Sequence, residues 1–169
     1  MKEIEVKILD IGKTEIIRKL KALGAKKIFE GIVLTSYFDF PSKSLQRSGK
    51  ILRLRKSRAY ATITFKENLS RKRAKTMTEH QIYLDDYIQA QKILEGLGLK
   101  EFPQRPKSRT SFKAKDASFE IDKFKSIPAY LEIEAPNLQI IKKYVKLLGF
   151  SMKDTKPWSG TDVLKHYKK

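Results

Sequence analysis

The 169-residue sequence contains no cysteine, which excludes disulfides and any thiolate metal site. No apolar run approaches the length a helix needs to span a bilayer, and the charged N-terminus carries no signal-peptide pattern, so the expected address is the cytoplasm. There is no glycine-rich phosphate loop and no Ser-His-Asp set; a phosphate would have to be held by side chains rather than by amides at a helix start. The histidines offer no ligand set either: His80 falls on the apolar side of its segment, and His166 sits in a solvated tail beside Lys165. No low-complexity stretch or linker interrupts the chain, and residues 1–169 read as one domain.

What the sequence has in quantity is charge. Charged residues make up 33% and hydrophobic ones 40%, enough for a core with much charge left over. Lys and Arg number 37 against 19 Asp and Glu, a formal net charge of +18. Such an excess predicts an anionic partner: nucleic acid, a membrane surface, or a small polyanion such as a polyphosphate. Doublets such as Lys26-Lys27 and Lys142-Lys143 read most simply as solvated faces, so bulk charge alone decides little.

Pattern decides more. Residues 3–8 alternate strictly, with Glu3, Glu5 and Lys7 on one side and Ile4, Val6 and Ile8 on the other. Successive strand side chains point to opposite faces, so this is a strand with a charged front and an apolar back. An ordinary half-buried strand with its charges in water shows the same pattern. Here the pattern recurs, with the sign of the charge segregated by strand.

Residues 13–23 read as a helix with Ile16, Ile17, Leu20 and Leu23 as its stripe and Gly24 as its stop. Residues 28–40 read as a strand rich in aromatic and β-branched types. Residues 51–55 set Arg53 and Arg55 against Leu52 and Leu54, and 60–66 form the hairpin partner, with Thr62, Thr64 and Lys66 opposing Ile63 and Phe65. The basic, aperiodic stretch 68–75 reads as a mobile loop. Residues 76–84 put Glu79 and Gln81 on one face of a strand, and Asp85 or Asp86 caps a helix whose stripe is Ile88, Ile93 and Leu94. Residues 99–114 are extended, interrupted by Pro103 and Pro106, with Lys107 and Arg109 on one face. Residues 117–124 set Glu120 and Asp122 against Phe119 and Ile121, and 130–134 set Glu132 and Glu134 against Leu131 and Ile133. Asn137 caps a last amphipathic helix that stops at Gly149; the tail returns as a strand and a short helix over 161–167, docked by Trp158.

Apolar faces behind charged ones, together with amphipathic helices, predict an α+β fold: a curved antiparallel sheet with helices on its apolar outside and charge on its concave side. Periodicity does not separate an open wet face from a closed tunnel. Paired Glu-x-Glu and Arg-x-Arg on separate strands favour a site over a merely soluble face. Clustered carboxylates repel unless a cation joins them, and oxygen-only ligands select Mg²⁺ or Mn²⁺. On that ground Glu132→Gln is expected to stabilise the metal-free protein. Clustered Arg and Lys repel unless an anion joins them, and the planar guanidinium suits phosphate oxygens. Together they describe a site for a metal–polyphosphate complex.

Glu3-x-Glu5-x-Lys7 resembles the signature of the CYTH superfamily, the triphosphate tunnel metalloenzymes, which include class IV adenylyl cyclases, thiamine triphosphatases and inorganic triphosphatases. Leu52-Arg53-Leu54-Arg55, Phe65-Lys66, Glu79, Lys107-x-Arg109, Glu120-Ile121-Asp122 and Leu131-Glu132-Ile133-Glu134 follow in the family's order, and residues 158–164 resemble its closing phrase. The resemblance implies a closed eight-stranded antiparallel β-barrel, a tunnel with a charged interior and flanking helices. It implies Glu3, Glu5 and Lys7 as catalytic residues, and divalent metal held by Glu3, Glu5, Glu132 and Glu134 with Asp122 and Glu79 assisting. It implies a triphosphate gripped by Lys7, Arg53, Arg55, Lys66, Lys107, Arg109 and Lys156.

Three departures bear on substrate. Gln81 stands where many members have an acidic residue. Ile51 replaces the tryptophan of the mammalian thiamine triphosphatases, and only Met1-Lys2 precede Glu3 where characterised class IV cyclases carry a His-Phe phrase. No aromatic or amide side chain on the charged face is assigned to contact a base. The expected function is therefore hydrolysis of inorganic tripolyphosphate or an organic triphosphate, with Mg²⁺ or Mn²⁺. Cyclisation of ATP to cyclic AMP and pyrophosphate is the alternative. A non-catalytic polyanion-binding module is the second alternative, though Glu3, Glu5, Glu132 and Glu134 would repel a nucleic-acid backbone. A small-molecule triphosphate is the expected partner, without membrane or nucleic acid; a homodimer is left open.

Overall fold

The computed structural model describes residues 2–70 and 72–168; Met1, Arg71 and Lys169 lie outside the described residues. The chain runs β1 (Lys2–Ile8), α1 (Lys13–Ala22), β2 (Lys26–Asp39), a short α2 (Ser44–Arg47), β3 (Lys50–Lys56), β4 (Ala61–Ser70) and β5 (Lys75–Tyr83). It continues through α3 (Tyr87–Gly96), β6 (Lys100–Pro103), β7 (Lys107–Lys113), β8 (Ser118–Phe124), β9 (Tyr130–Ala135) and α4 (Leu138–Leu147), then β10 (Thr155–Lys156) and α5 (Gly160–His166).

Strands pair antiparallel in the order β1-β5-β4-β3-β2-β7-β8-β9, and β9 returns to β1, closing an eight-stranded barrel. In that closing register Glu5 of β1 lies beside Glu134, and Lys7 beside Glu132. β10 takes over from β5 along β1 at Lys7 and Ile8, and β6 adds to β2 outside the ring.

Alternation dictates which face goes where. The apolar sides of β1, β8 and β9, including Val6, Ile8, Phe119, Ile121, Leu131 and Ile133, pack outward against Ile16 and Leu20 of α1 and Ile141, Tyr144 and Val145 of α4. Each such apolar side chain contributes about 1.5–3 kcal/mol when fully buried, so this outer layer is the main hydrophobic support of the barrel. A second cluster, Phe38, Leu54, Leu94 and Leu99, holds α3 to β2 and β3. A third docks α5, with Val163 and Trp158 against Phe124, Ile127 and Tyr130, as expected for a tail tryptophan. Helix ends follow local chemistry: Asp86 and Asn137 cap α3 and α4, accepting from the amides of Gln89 and Ile140. Gly24, Gly98 and Gly149 take left-handed φ values of 77°, 88° and 88° just beyond α1, α3 and α4. No described helix is long and apolar enough to cross a membrane.

Two local expectations are corrected. The basic stretch 68–75 is not wholly loop: β4 extends to Ser70 through a register shift between Asn68 and Ser70, and Lys75 begins β5 with its side chain buried. In α3 the packed stripe is Tyr87, Ala90 and Leu94, because the helix lies against β3, β4 and β6 on one side of the barrel; Ile88 and Ile93 are exposed.

Leu20 is fully buried between α1 and the barrel. Leu20→Ala should lower unfolding free energy by about 2–5 kcal/mol in urea titrations. A loss well under about 1 kcal/mol would mean that α1 does not seal this wall.

Candidate active site

The bore of the barrel encloses a cavity of about 650 Å³, within the usual size range of ligand pockets. Strand parity sends Glu3, Glu5, Lys7, Arg53, Arg55, Lys66, Glu79, Lys107, Arg109, Glu132 and Glu134 to its wall. Asp122 and Lys156 are not among the wall residues. Asp122 is fully buried behind Arg109, from which it accepts two hydrogen bonds of 2.7 Å. It also accepts from Lys107 at 2.5 Å and from the Tyr130 hydroxyl at 3.2 Å. Lys156 lies beside Lys7 in register, with its ammonium 5.9 Å from the Trp158 ring centroid.

Charges in the bore compensate one another pair by pair. Lys7 bridges Glu5 at 2.9 Å and Glu132 at 2.7 Å. Lys66 bridges Glu3, at 2.5 Å, and Glu79. Lys75 donates to Glu5 at 2.9 Å, and Arg109 pairs with Glu120 as well as Asp122. A buried charge left alone costs several kcal/mol, so these pairs are what allow the barrel to close around ionised groups.

Compensation is uneven around the ring. Burial alone would lower the Lys7 pKa, but Glu132 and Glu5 more than offset it and hold Lys7 above the lysine range. Burial raises the Glu132 and Asp122 carboxyls, yet Lys7 with Arg109, and Arg109 with Lys107, hold them well below the carboxylate range. Glu134 has less support: burial, then the charge of Glu3 and a hydrogen bond shared with it, push it up to about 9 against the weaker pull of Lys66. Glu120 is also raised, by burial and by Glu132 and Asp122 against the pull of Arg109. On the facing wall, burial and then Arg53 and Arg109 push Arg55 down to about 10. The Nε atoms of Arg53 and Arg55 and the hydroxyls of Thr35 and Thr62 are buried without a hydrogen-bond partner. These residues are lateral neighbours: Thr35 lies beside Arg55, and Arg55 beside Thr62.

The donor set fits a hard divalent cation. One carboxylate oxygen from each of Glu120, Asp122 and Glu132 lies within 4.8 Å of the others, and Glu134 is crowded by Glu3. Crowded oxygens without sulfur or imidazole are the ligand type that hard cations take.

Sequence reasoning missed several wall residues. Lys75 was hidden in a basic run. Glu120 was placed on the charged face but left out of the carboxylate set assigned to metal. Phe29, Tyr37, Tyr60, Gln81 and Tyr83 line the cavity, which corrects the expectation that no aromatic or amide side chain on the charged face is available to contact a base. Gln81 lies on that face as its strand's alternation predicts, and its amide oxygen accepts from the Thr64 hydroxyl at 3.0 Å. For Tyr37 the usable signal was register with Arg53, which no single strand reveals.

A closed antiparallel barrel with a charge-lined bore and helices outside defines a tunnel architecture. The CYTH-domain family model matches residues 1–155, and the chain belongs to that family. A protein of Methanocaldococcus jannaschii named "Putative adenylate cyclase" is 28% identical over 134 residues, 79% of this chain and 77% of that one. The structure of a Pyrococcus horikoshii protein is similar with a TM-score of 0.77 and 29% identity, covering 95% of this chain and 98% of that one. A Hippeastrum protein described as a "putative adenylyl cyclase" with a dominant triphosphatase activity shares the fold at a TM-score of 0.71 and 14% identity, over 99% of this chain and 96% of that one. Enzymes of triphosphatase-like and cyclase-like kind make up this family, and they are in general metal-dependent.

The electrostatics move the expected stabilisation from Glu132 to Glu134. Glu132 is depressed by Lys7, so Glu132→Gln removes a pairing and should destabilise. Glu134 is raised, so folding carries no penalty below its unfolded pKa and a growing one as pH rises from there toward about 9. In EDTA, Glu134→Gln should exceed wild type by on the order of 2 kcal/mol at pH 7 and match it near pH 4. A variant less stable than wild type at pH 7 would contradict this charge map.

Proposed function

We propose that this chain is a metal-dependent phosphohydrolase acting on a triphosphate, inorganic or organic, held inside the barrel. The observation that carries the reading is the opposition of two incompletely compensated walls. Buried Arg53 and Arg55 Nε atoms and the Thr35 and Thr62 hydroxyls lack acceptors on one side, while Glu134 and Glu120 are crowded by carboxylates on the other. Unmatched donors in a cavity call for an anion, and crowded carboxylates call for a cation.

In this reading Lys7, Arg53, Arg55, Lys66, Lys107 and Arg109 grip the phosphates, with Lys156 adding charge at the rim. Glu3, Glu5, Glu132 and Glu134 hold Mg²⁺ or Mn²⁺, with Glu120, Asp122 and Glu79 assisting. Once bound, such an ion supplies Lewis-acid polarisation and neutralises phosphoryl charge. The chain's own part is positioning. Arginine forks fix the phosphoryl oxygens, and Lys7, held cationic between Glu5 and Glu132, keeps those two carboxylates oriented. Asp122 locks Arg109 with two parallel bonds while its Nη1 meets Glu120, so the guanidinium is held in one orientation. The triphosphatase activity described for the Hippeastrum fold relative supports hydrolysis.

Cyclisation of ATP is the second reading. Tyr37, Tyr60, Gln81 and Tyr83 in the cavity favour it, because cyclisation needs the nucleoside oriented as well as the triphosphate. The name of the Methanocaldococcus relative points the same way. Purified protein with Mg²⁺ or Mn²⁺, given tripolyphosphate, ATP and thiamine triphosphate separately, distinguishes the two by product chromatography. Hydrolysis predicts phosphate release and no cyclic product. Cyclic AMP with pyrophosphate from ATP, and tripolyphosphate left intact, would overturn it.

A further inference from the structure

Phe29, Tyr60 and Tyr83 form a continuous aromatic edge on the cavity wall. The Phe29 and Tyr60 ring centroids are 5.4 Å apart at 60°, and those of Tyr60 and Tyr83 are 6.4 Å apart at 87°. Two rings at nearly a right angle make a corner in which a third flat ring can stack on one face and meet the other edge-on. These side chains belong to none of the apolar clusters that hold the helices. Tyr83 is 74% exposed, and Phe29 and Tyr60 are half-buried, so packing does not account for them. Gly31 makes room for the arrangement: a Cβ there would come within 3.1 Å of the Phe29 ring.

The edge is continuous with the unmatched arginine wall. Tyr83 lies beside Thr62, and Thr62 beside Arg55. Two strand spacings, about 10 Å, separate Tyr83 from Arg55, a span that a pentose can bridge. Ile51, too small to stack a ring, stands at the other end of β3, beside Lys66. An aromatic surface therefore adjoins the phosphate-binding donors on the Arg55 side.

We propose that Phe29, Tyr60 and Tyr83 bind the base of a nucleoside triphosphate, which makes a nucleotide rather than inorganic tripolyphosphate the preferred substrate class. This rests on the triphosphate reading of the bore and adds the organic end to it. Tyr60 and Tyr83 supply a stacking corner, and Arg55 takes the phosphates.

The test is calorimetry with Mg²⁺, using the imido analogue of tripolyphosphate and the 3′-deoxy β,γ-imido analogue of ATP, which resist hydrolysis and cyclisation. Tyr83→Leu, at an exposed position, and Tyr60→Leu should each weaken the ATP analogue roughly tenfold while moving the inorganic analogue less than about twofold. Arg55→Ala should weaken both. Tyrosine variants that weaken both ligands equally, or neither, while Arg55→Ala weakens both, would overturn the base-binding edge and leave the triphosphate reading standing. If Arg55→Ala weakens neither, the triphosphate reading falls, and this inference falls with it.

Discussion

Ionised groups closed inside a barrel must be matched, and the ion pairs of the bore are the interaction on which the rest of the structure depends. Lys7, Lys66, Lys75 and Arg109 are all nearly removed from water. Each has at least one carboxylate at contact distance on a neighbouring strand. Removing one partner of such a pair typically costs about 3–5 kcal/mol, which is a large share of a domain's net stability. Strand order therefore has an electrostatic meaning: β1 must meet β9 for Lys7 to reach Glu132, and β7 must meet β8 for Arg109 to reach Asp122. The outer apolar layer with α1 and α4 supplies the hydrophobic stabilisation that an ionised interior does not.

The matching stops short of completion, and where it stops is informative. One arc retains buried donors without acceptors, at Arg53, Arg55, Thr35 and Thr62. The other retains carboxylates that crowd one another, with Glu134 pushed up to about 9. Both imbalances lower the stability of the empty barrel, and a cation and a polyanion bound together would relieve both. Natural proteins commonly give up stability at a functional site in this way. The same physics accounts for Asp122, which is so fully engaged by Arg109, Lys107 and Tyr130 that its main effect is to hold basic side chains in place.

Much of this was legible in the sequence, because a strand's period of two puts charge and hydrophobe on opposite faces. Glu3-x-Glu5-x-Lys7, Arg53-x-Arg55 and Glu132-x-Glu134 announced inward charge, and the glycines at 24, 98 and 149 announced helix ends. Closure was not legible from periodicity, since β1 pairs with β9 across most of the chain. Lys75 was obscured by its basic neighbours and by the register shift at Asn68 and Ser70. The aromatic edge was obscured by β2, whose two faces both carry large apolar residues and whose register shifts between Lys27 and Phe29. In such a strand, only the partners Arg53 and Arg109 reveal which side faces the bore.

The central claim is that cation and polyanion share the bore, each on its own wall. Crystals grown with Mn²⁺ and a non-hydrolysable triphosphate test it most directly, with anomalous scattering locating the metal. The account predicts the Mn²⁺ peak among the carboxylates of β1, β8 and β9, and phosphates against Arg53 and Arg55. Metal and phosphates on the outer surface, with the bore left to its internal ion pairs, would contradict it.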